Sequence, residues 1–321
     1  MKTTQPENVA MNGSARPTSA DFPTIYRTTS RAARRYKSAQ AHFLQADLLL
    51  LVTGAAIGAI SGAAPEGWKL PLRVLTAAAL LASVIVKLVA RGAARDQDWF
   101  TARAASESAK SATWRYMMRQ EPFESDETAD QEFVRQETAI RSQAPMLLSA
   151  EDLEQEPRLI TDRMREIRAT AWKDRRALYL KWRLDDQIAW YHEQARASQR
   201  RATTWFWASL ACHGAALGFA IVLIATSVHG LNLVGVFSAL AASATAWDQF
   251  GRNSELVKSY GLAFDELAAI RSLAELQTHE AEFHDLVRDV ESAIAREQVL
   301  WRVKRGRPLP ADVLATIRAP G

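Results

Sequence analysis

The chain has 321 residues, 24% of them charged, and a formal net charge of only +4. So small a basic excess does not argue for nucleic acid, and a single cysteine, Cys212, excludes disulfides and cysteine metal clusters within one chain. Mean hydropathy near zero would suit a soluble protein, but here it averages two unlike kinds of segment.

Residues 1–23 hold Pro, Asn, Ser and Thr without an apolar core and read as a flexible tail, not a signal peptide. Arg27, Arg31, Arg34, Arg35 and Lys37 follow with no acid among them. Leu48 to Pro65 is then uncharged, and so is Val74 to Val86. Arg73 and Lys87 can snorkel toward headgroups, which extends the second piece to Pro71–Ala90. A helix needs about 20 apolar residues to cross a bilayer, so spans are expected at about 46–64 and 71–90. Pro65, Gly67 and Pro71 break the chain between them, and Trp68 is an interfacial anchor.

One helix is expected over Thr24–Ala63, and a second from Pro71 to Gln120, where Pro122 stops it. Residues 122–159 form an acidic linker, with a helix or loop over Glu124–Gln143 and a helix start at Ser149–Asp152 that Pro157 interrupts. Thr161 is placed to cap a long helix running through Trp190 into a third span. From Ala202 to Trp247 there is no Asp, Glu, Lys or Arg. That run is long enough for two crossings, about 203–227 and 230–247, with a turn at His229-Gly230. The fourth span continues to Gln277. A last helix, Ala281–Trp301, carries Phe283, Val287, Val290, Ile294 and Trp301 at coiled-coil-like spacing. Residues 306–321 are a basic tail.

No glycine occurs between Gly92 and Gly214, and no proline between Pro157 and Pro308. Few breakers and no strand-like alternation predict an all-α membrane protein. It would have two transmembrane helical hairpins (four spans), in units 24–121 and 160–305, with long cytoplasmic helical extensions. Arg and Lys gather outside the hairpins rather than in their turns, which predicts a multi-pass protein with both termini and the middle segment cytoplasmic.

Gly54, Gly58 and Gly62 recur every fourth residue, Gly214 and Gly218 repeat the device, and Gly235 opens a strip with Ala239 and Ser243. Such strips let backbones approach, either within one four-helix bundle or between subunits. Four short spans hardly enclose a conduit alone, so a pore would need a homo-oligomer in the lipid bilayer. Lys87 lies near a span end, and His213 is the one interior titratable candidate, so proton-coupled transport is disfavoured. No catalytic set, phosphate loop or cofactor motif is present, and no enzyme is expected. His279, Glu280, Glu282, His284 and Asp285 look like a ligand cluster, yet no third ligand is evident and no metal is expected.

Acidic residues Glu121–Glu137 and basic residues Arg158–Arg183 either pair or remain two solvated faces. Trp99 to Tyr116 reads WFTARAASESAKSATWRY, a ladder of Arg103, Glu107 and Lys110 beside Trp99 and Trp114. Arg183 to Ala195 reads RLDDQIAWYHEQA, holding Asp186, Gln187, Trp190 and Tyr191.

These strings, with ITDRMREIR (Ile160–Arg168) and a closing helix bearing Glu291, Glu297 and Trp301, resemble the SLATT family. That is the family of two-transmembrane effector domains associated with bacterial nucleotide synthases and SLOG sensors. The resemblance spans about residues 24–305 as two domains in tandem. It implies a pore-forming effector in antiphage or conflict systems, with a nucleotide-synthase or nucleotide-sensor partner, or a ligand on the cytoplasmic helices, as trigger. The alternative is a non-conducting scaffold that recruits a cytoplasmic partner through its helical stalk.

Overall fold

The computed structural model of the chain describes residues 15–93, 96–142, 158–226 and 231–303, with side chains described except at 92–93, 96–97 and 297–303. Their regular structure is helical, and no strand occurs among them. In chain order they are α1 (Thr24–Ala63), α2 (Glu66–Ala93), α3 (Asp96–Met117), α4 (Ala129–Ser142), α5 (Asp162–Ala169) and α6 (Trp172–Tyr179). A π-helical segment, Leu180–Asp185, leads into α7 (Asp186–Thr226), followed by α8 (Val234–Gly251), α9 (Asn253–Ala274) and α10 (Glu280–Val303). The tail residues 1–14, the linker's Pro145, Ser149–Asp152 and Pro157, the His229-Gly230 turn, the basic tail and the Glu297 and Trp301 side chains lie outside the described residues.

α1 has the extent its composition predicts. α2 begins one turn earlier than Pro71 and takes that proline inside, with Lys69 bonded back to Glu66 in the first turn. The long helix expected from Thr161 is interrupted. Thr161 does cap, its hydroxyl accepting from the Met164 N–H at 3.3 Å. Nine residues on, the Thr170 hydroxyl donates to the Ile167 carbonyl at 2.7 Å and its backbone turns extended. The Thr170 N–H donates to the same carbonyl and so caps the end of α5. From Trp172 the helix runs on to Thr226.

The helix expected from the fourth span to Gln277 is also divided, at Gly251 and Arg252. Arg252 takes a left-handed φ of 48° and its N–H caps Asp248 and Gln249. At Gly251 a Cβ would crowd a side chain rather than backbone. The Asn253 amide nitrogen lies 2.8 Å from where a Cβ would stand, and donates to Asp248 Oδ1 at 2.9 Å.

The chain divides into two compact units. The first, polar, unit takes residues up to Arg34, Gln97–Glu193 and those from Ser259 on; the second, apolar, unit takes Arg35–Asp96 and Gln194–Lys258.

Among the described residues three helices, two of them shared between the units, are long and apolar enough to cross a membrane: Thr24–Ala63, Glu66–Arg91 and Trp172–Thr226. No more than 11% of each apolar stretch is buried. Leu49, Leu81, Leu88, Leu217 and Ile224 all point outward. Each fully exposed leucine forgoes roughly 1.5–3 kcal/mol of burial in water, so a surface of this kind belongs in lipid. α8, expected as the fourth span, has 18 residues and does not reach that standard, because Asp248 and Gln249 occupy its last turn. Within the first hairpin, Ala79 and Leu80 of α2 come within 3.5–3.6 Å of a Cβ position on Gly54, and Thr76 within 3.6 Å of one on Gly58.

The polar unit is organised around α3, whose Ala102, Ala105, Ala109 and Ala112 are buried at alternating spacings of three and four. That stripe admits close helix neighbours. The buried face of α10 is the one its spacing predicts: Phe283, Val287, Val290 and Ile294. Phe22 and Pro23, read as tail from the sequence, are buried here, with Phe22 edge-on to Trp114.

Candidate functional site

The two aromatic and charged strings meet in the polar unit. On α3, Arg103, Glu107 and Lys110 are four and three residues apart and therefore share a face. Opposite them stand Asp186, Gln187, Trp190 and Tyr191 of α7, and the seven residues together line a cavity of about 430 Å³. Arg16, Trp182, Glu193 and Ile294 add to its wall. The Arg16 guanidinium bonds to Asp186 and lies 5.5 Å from the Trp182 ring centre. The volume is within the range of small-molecule sites, roughly 300–1,000 Å³.

Lys110 makes no hydrogen bond or ion pair among the described residues. Burial, and then the charge of Arg183, lower its pKa, while Glu107, Glu291 and Asp186 pull the other way. An ammonium left in this state at a cavity wall is a candidate for ligand contact.

The π-helical segment shapes one side of the cavity. Such segments are rare and recur at functional sites, because the wider turn re-aims side chains. Here Trp182 lines the cavity while Arg183 turns into the core. Arg183 Nε and Nη2 donate to the two oxygens of Glu291 at 2.8 and 2.6 Å. The hydroxyls of Tyr179 and Ser111 donate to the same carboxylate at 2.9 and 2.8 Å. Burial would raise the Glu291 pKa, but the guanidinium and its hydrogen bonds outweigh that and hold it below the usual value. Tyr179 is raised well above its ordinary range, by burial first and by the Glu291 charge second. Arg183 Nη1 is buried without a hydrogen-bond partner.

Trp114 and Trp99 take other places. Trp114 is core, edge-on to Tyr179 at 5.7 Å, which in turn meets Phe283. Trp99 packs on Phe100, with the Arg103 guanidinium 5.9 Å from its ring centre. In the apolar unit Gly54 and Gly58 face α2, and Gly62 is exposed in the last turn of α1. Among the described residues nothing lies within 4 Å of a Cβ position on Gly214, Gly218 or Gly235. His213 bonds locally, its Nδ1 2.9 Å from the Ser209 carbonyl. Lys87 is not simply snorkelling: its ammonium is 3.4 Å from Asp47, whose other oxygen accepts from Ser83 at 2.5 Å.

Acid and base do pair between the two charged segments. Arg168 reaches Asp126 at 2.8 Å and Arg165 reaches Asp130 at 3.0 Å, with the Tyr116 hydroxyl donating to Asp130 at 2.6 Å. The residues that resembled a metal cluster hold the start of α10: Glu280 accepts from Arg175, and Glu282 accepts from the N–H groups of Thr278 and His279.

The pairing of Arg183 with Glu291, and Asp47 itself, were not read from the sequence, although Glu291 was named in the closing helix and each left a signal. Glu291 is a charge on the apolar stripe of α10, between Val287 and Ile294. Asp47 is the one acid in all of α1.

Two family descriptions match the chain. Residues 23–176 match the SMODS and SLOG-associating 2TM effector domain 3, and residues 179–301 match the SMODS and SLOG-associating 2TM effector domain 1. No curated protein and no solved structure matches it significantly.

Proposed function

The chain belongs to the SLATT family, as two such effector domains in tandem, and from that premise we propose that it is an inner-membrane effector that assembles into a pore. The observation carrying this reading is the open face of the second hairpin. Gly214, Gly218 and Gly235 have empty space where a side chain would stand, whereas Gly54 and Gly58 are already packed against α2. A strip without side chains in lipid is a surface on which another helix backbone can seat. A second copy of the hairpin fits it.

α1 and α7 each contribute residues to both units. A signal received by the polar unit, facing the cytoplasm, would reach the spans through these two helices and bias a closed assembly toward an open one. The trigger is a small ligand or a nucleotide-handling partner protein.

Expression in bacteria with a membrane-potential dye tests the reading. Depolarisation and growth arrest on triggering, with an oligomer in mild detergent, are expected. A monomer that never depolarises cells would remove the pore and leave the scaffold.

A further inference from the structure

The cavity of the polar unit has features that the effector reading does not require. Its walls mix three cations, three carboxylates and exposed aromatic faces. A bare anion would be opposed by Glu107, Asp186 and Glu193, and a purely apolar ligand would strand Lys110. The lining suits a molecule with three properties at once: one anionic group for Lys110 and Arg103, a planar ring for the indoles, and ring-borne N–H donors for the carboxylates.

We propose that this cavity binds one small ring-bearing anion, a planar heterocycle with amine donors attached to a single phosphate or carboxylate, with Lys110 as its anion anchor and Trp190 as its stacking platform. Size sets an upper limit. About 430 Å³ accommodates a molecule of mononucleotide dimensions, and a ligand with two such rings would have to leave one outside. Lys110 is poised for the role because it lines the cavity with a desolvated ammonium that has no hydrogen-bond acceptor among the described residues, which a ligand oxygen would supply. Trp190 is braced edge-on by Tyr191 and Tyr260 at 5.0 and 5.3 Å, which fixes its ring while 39% of the residue stays exposed. The π-helical segment places Trp182 on a second wall, where the Arg16 guanidinium covers its ring. Regulation of the membrane assembly by this ligand rests on the effector reading; binding itself does not.

The test uses the full chain in detergent micelles, with adenosine monophosphate and guanosine monophosphate as probes, adenosine and inorganic phosphate as fragments, and calorimetry and tryptophan quenching as readouts. At least one mononucleotide should bind at least tenfold more tightly than either fragment and quench fluorescence. Lys110→Met should weaken it at least tenfold, and Lys110→Arg should restore most of the loss. Trp190→Ala should remove the quenching. Because Lys110→Met deletes a desolvated charge, it should fold and melt no lower than the wild type, so lost binding is not lost structure. Equal binding of phosphate alone, or mononucleotide binding that Lys110→Met leaves unchanged, overturns the proposal. The membrane-potential assay separates the two readings. Depolarisation without binding of either mononucleotide overturns the ligand site alone. Lys110-dependent binding in a chain that never depolarises overturns the effector reading and leaves the site standing.

Discussion

Glu291 accepts four hydrogen bonds inside the polar unit, two of them from one guanidinium. A buried ion pair adds little net stability against an apolar replacement, but removing one member strands the other. Glu291→Gln should therefore cost about 3–5 kcal/mol, and Arg183→Met with Glu291→Leu together should cost far less, both read from denaturation of the purified chain. Because the Glu291 pKa is lowered on folding, its contribution is present at neutral pH and is lost as pH falls through the folded value, below the ordinary 4.5. Glu137 has the opposite sign. Both its carboxylate oxygens are buried without a partner, and burial raises its pKa to about 8, with Arg141 opposing only weakly. The folded state then holds a proton that the unfolded state releases, so this contribution falls as pH rises from 4.5 to about 8. Glu137→Gln should remove that slope and raise the melting temperature at pH 8 and above relative to the wild type. A variant that still tracks the wild-type pH curve would show that Glu137 does not carry it.

At the level of elements, the first hairpin is held at two heights. The Gly54 and Gly58 contacts with α2 bring the backbones together, and Asp47 with Ser83 and Lys87 ties α1 to α2 across the hairpin at its other end. Gly54→Leu would drive a side chain into Ala79 and Leu80, and the hairpin should splay, lowering the melting temperature. For the charged end, a double-mutant cycle of Asp47→Ala and Lys87→Ala should give a coupling of about 1 kcal/mol, because Lys87 is largely exposed and the pair is partly screened. Additive effects would mean the pair does nothing.

The helices were legible to different degrees, for physical reasons. α1, α10 and the ladder on α3 were readable because their signals are periodic and local: charge absence, apolar spacing, and like faces three and four residues apart. The break at Thr170 and the left turn at Arg252 were not, since each rests on the backbone angles of a single residue, extended at the first and left-handed at the second. No glycine or proline marks Thr170, and at the second break the glycine, Gly251, precedes the left-handed residue.

For the molecule as a whole, the two hairpins are unequal. The first packs Gly54 and Gly58 internally, whereas the second leaves Gly214 and Gly218 open among the described residues and has a partner helix, α8, whose last turn holds Asp248 and Gln249. Gly214→Leu with Gly218→Leu should therefore abolish oligomers in mild detergent and depolarisation in cells while changing the melting temperature little. Gly54→Leu should instead act through stability. Oligomers surviving the double change would place the assembly surface elsewhere.

By itself the sequence determined that the chain is helical, that long stretches of it belong in lipid, and that two domains of one family lie in tandem, because hydropathy and periodicity are properties of neighbours along the chain. Only the tertiary structure decided that Lys87 answers Asp47, that Arg183 answers Glu291, and that a ladder on α3 and a string on α7 enclose one cavity. Those pairings join residues far apart in the chain, and nothing local in either partner specifies the other.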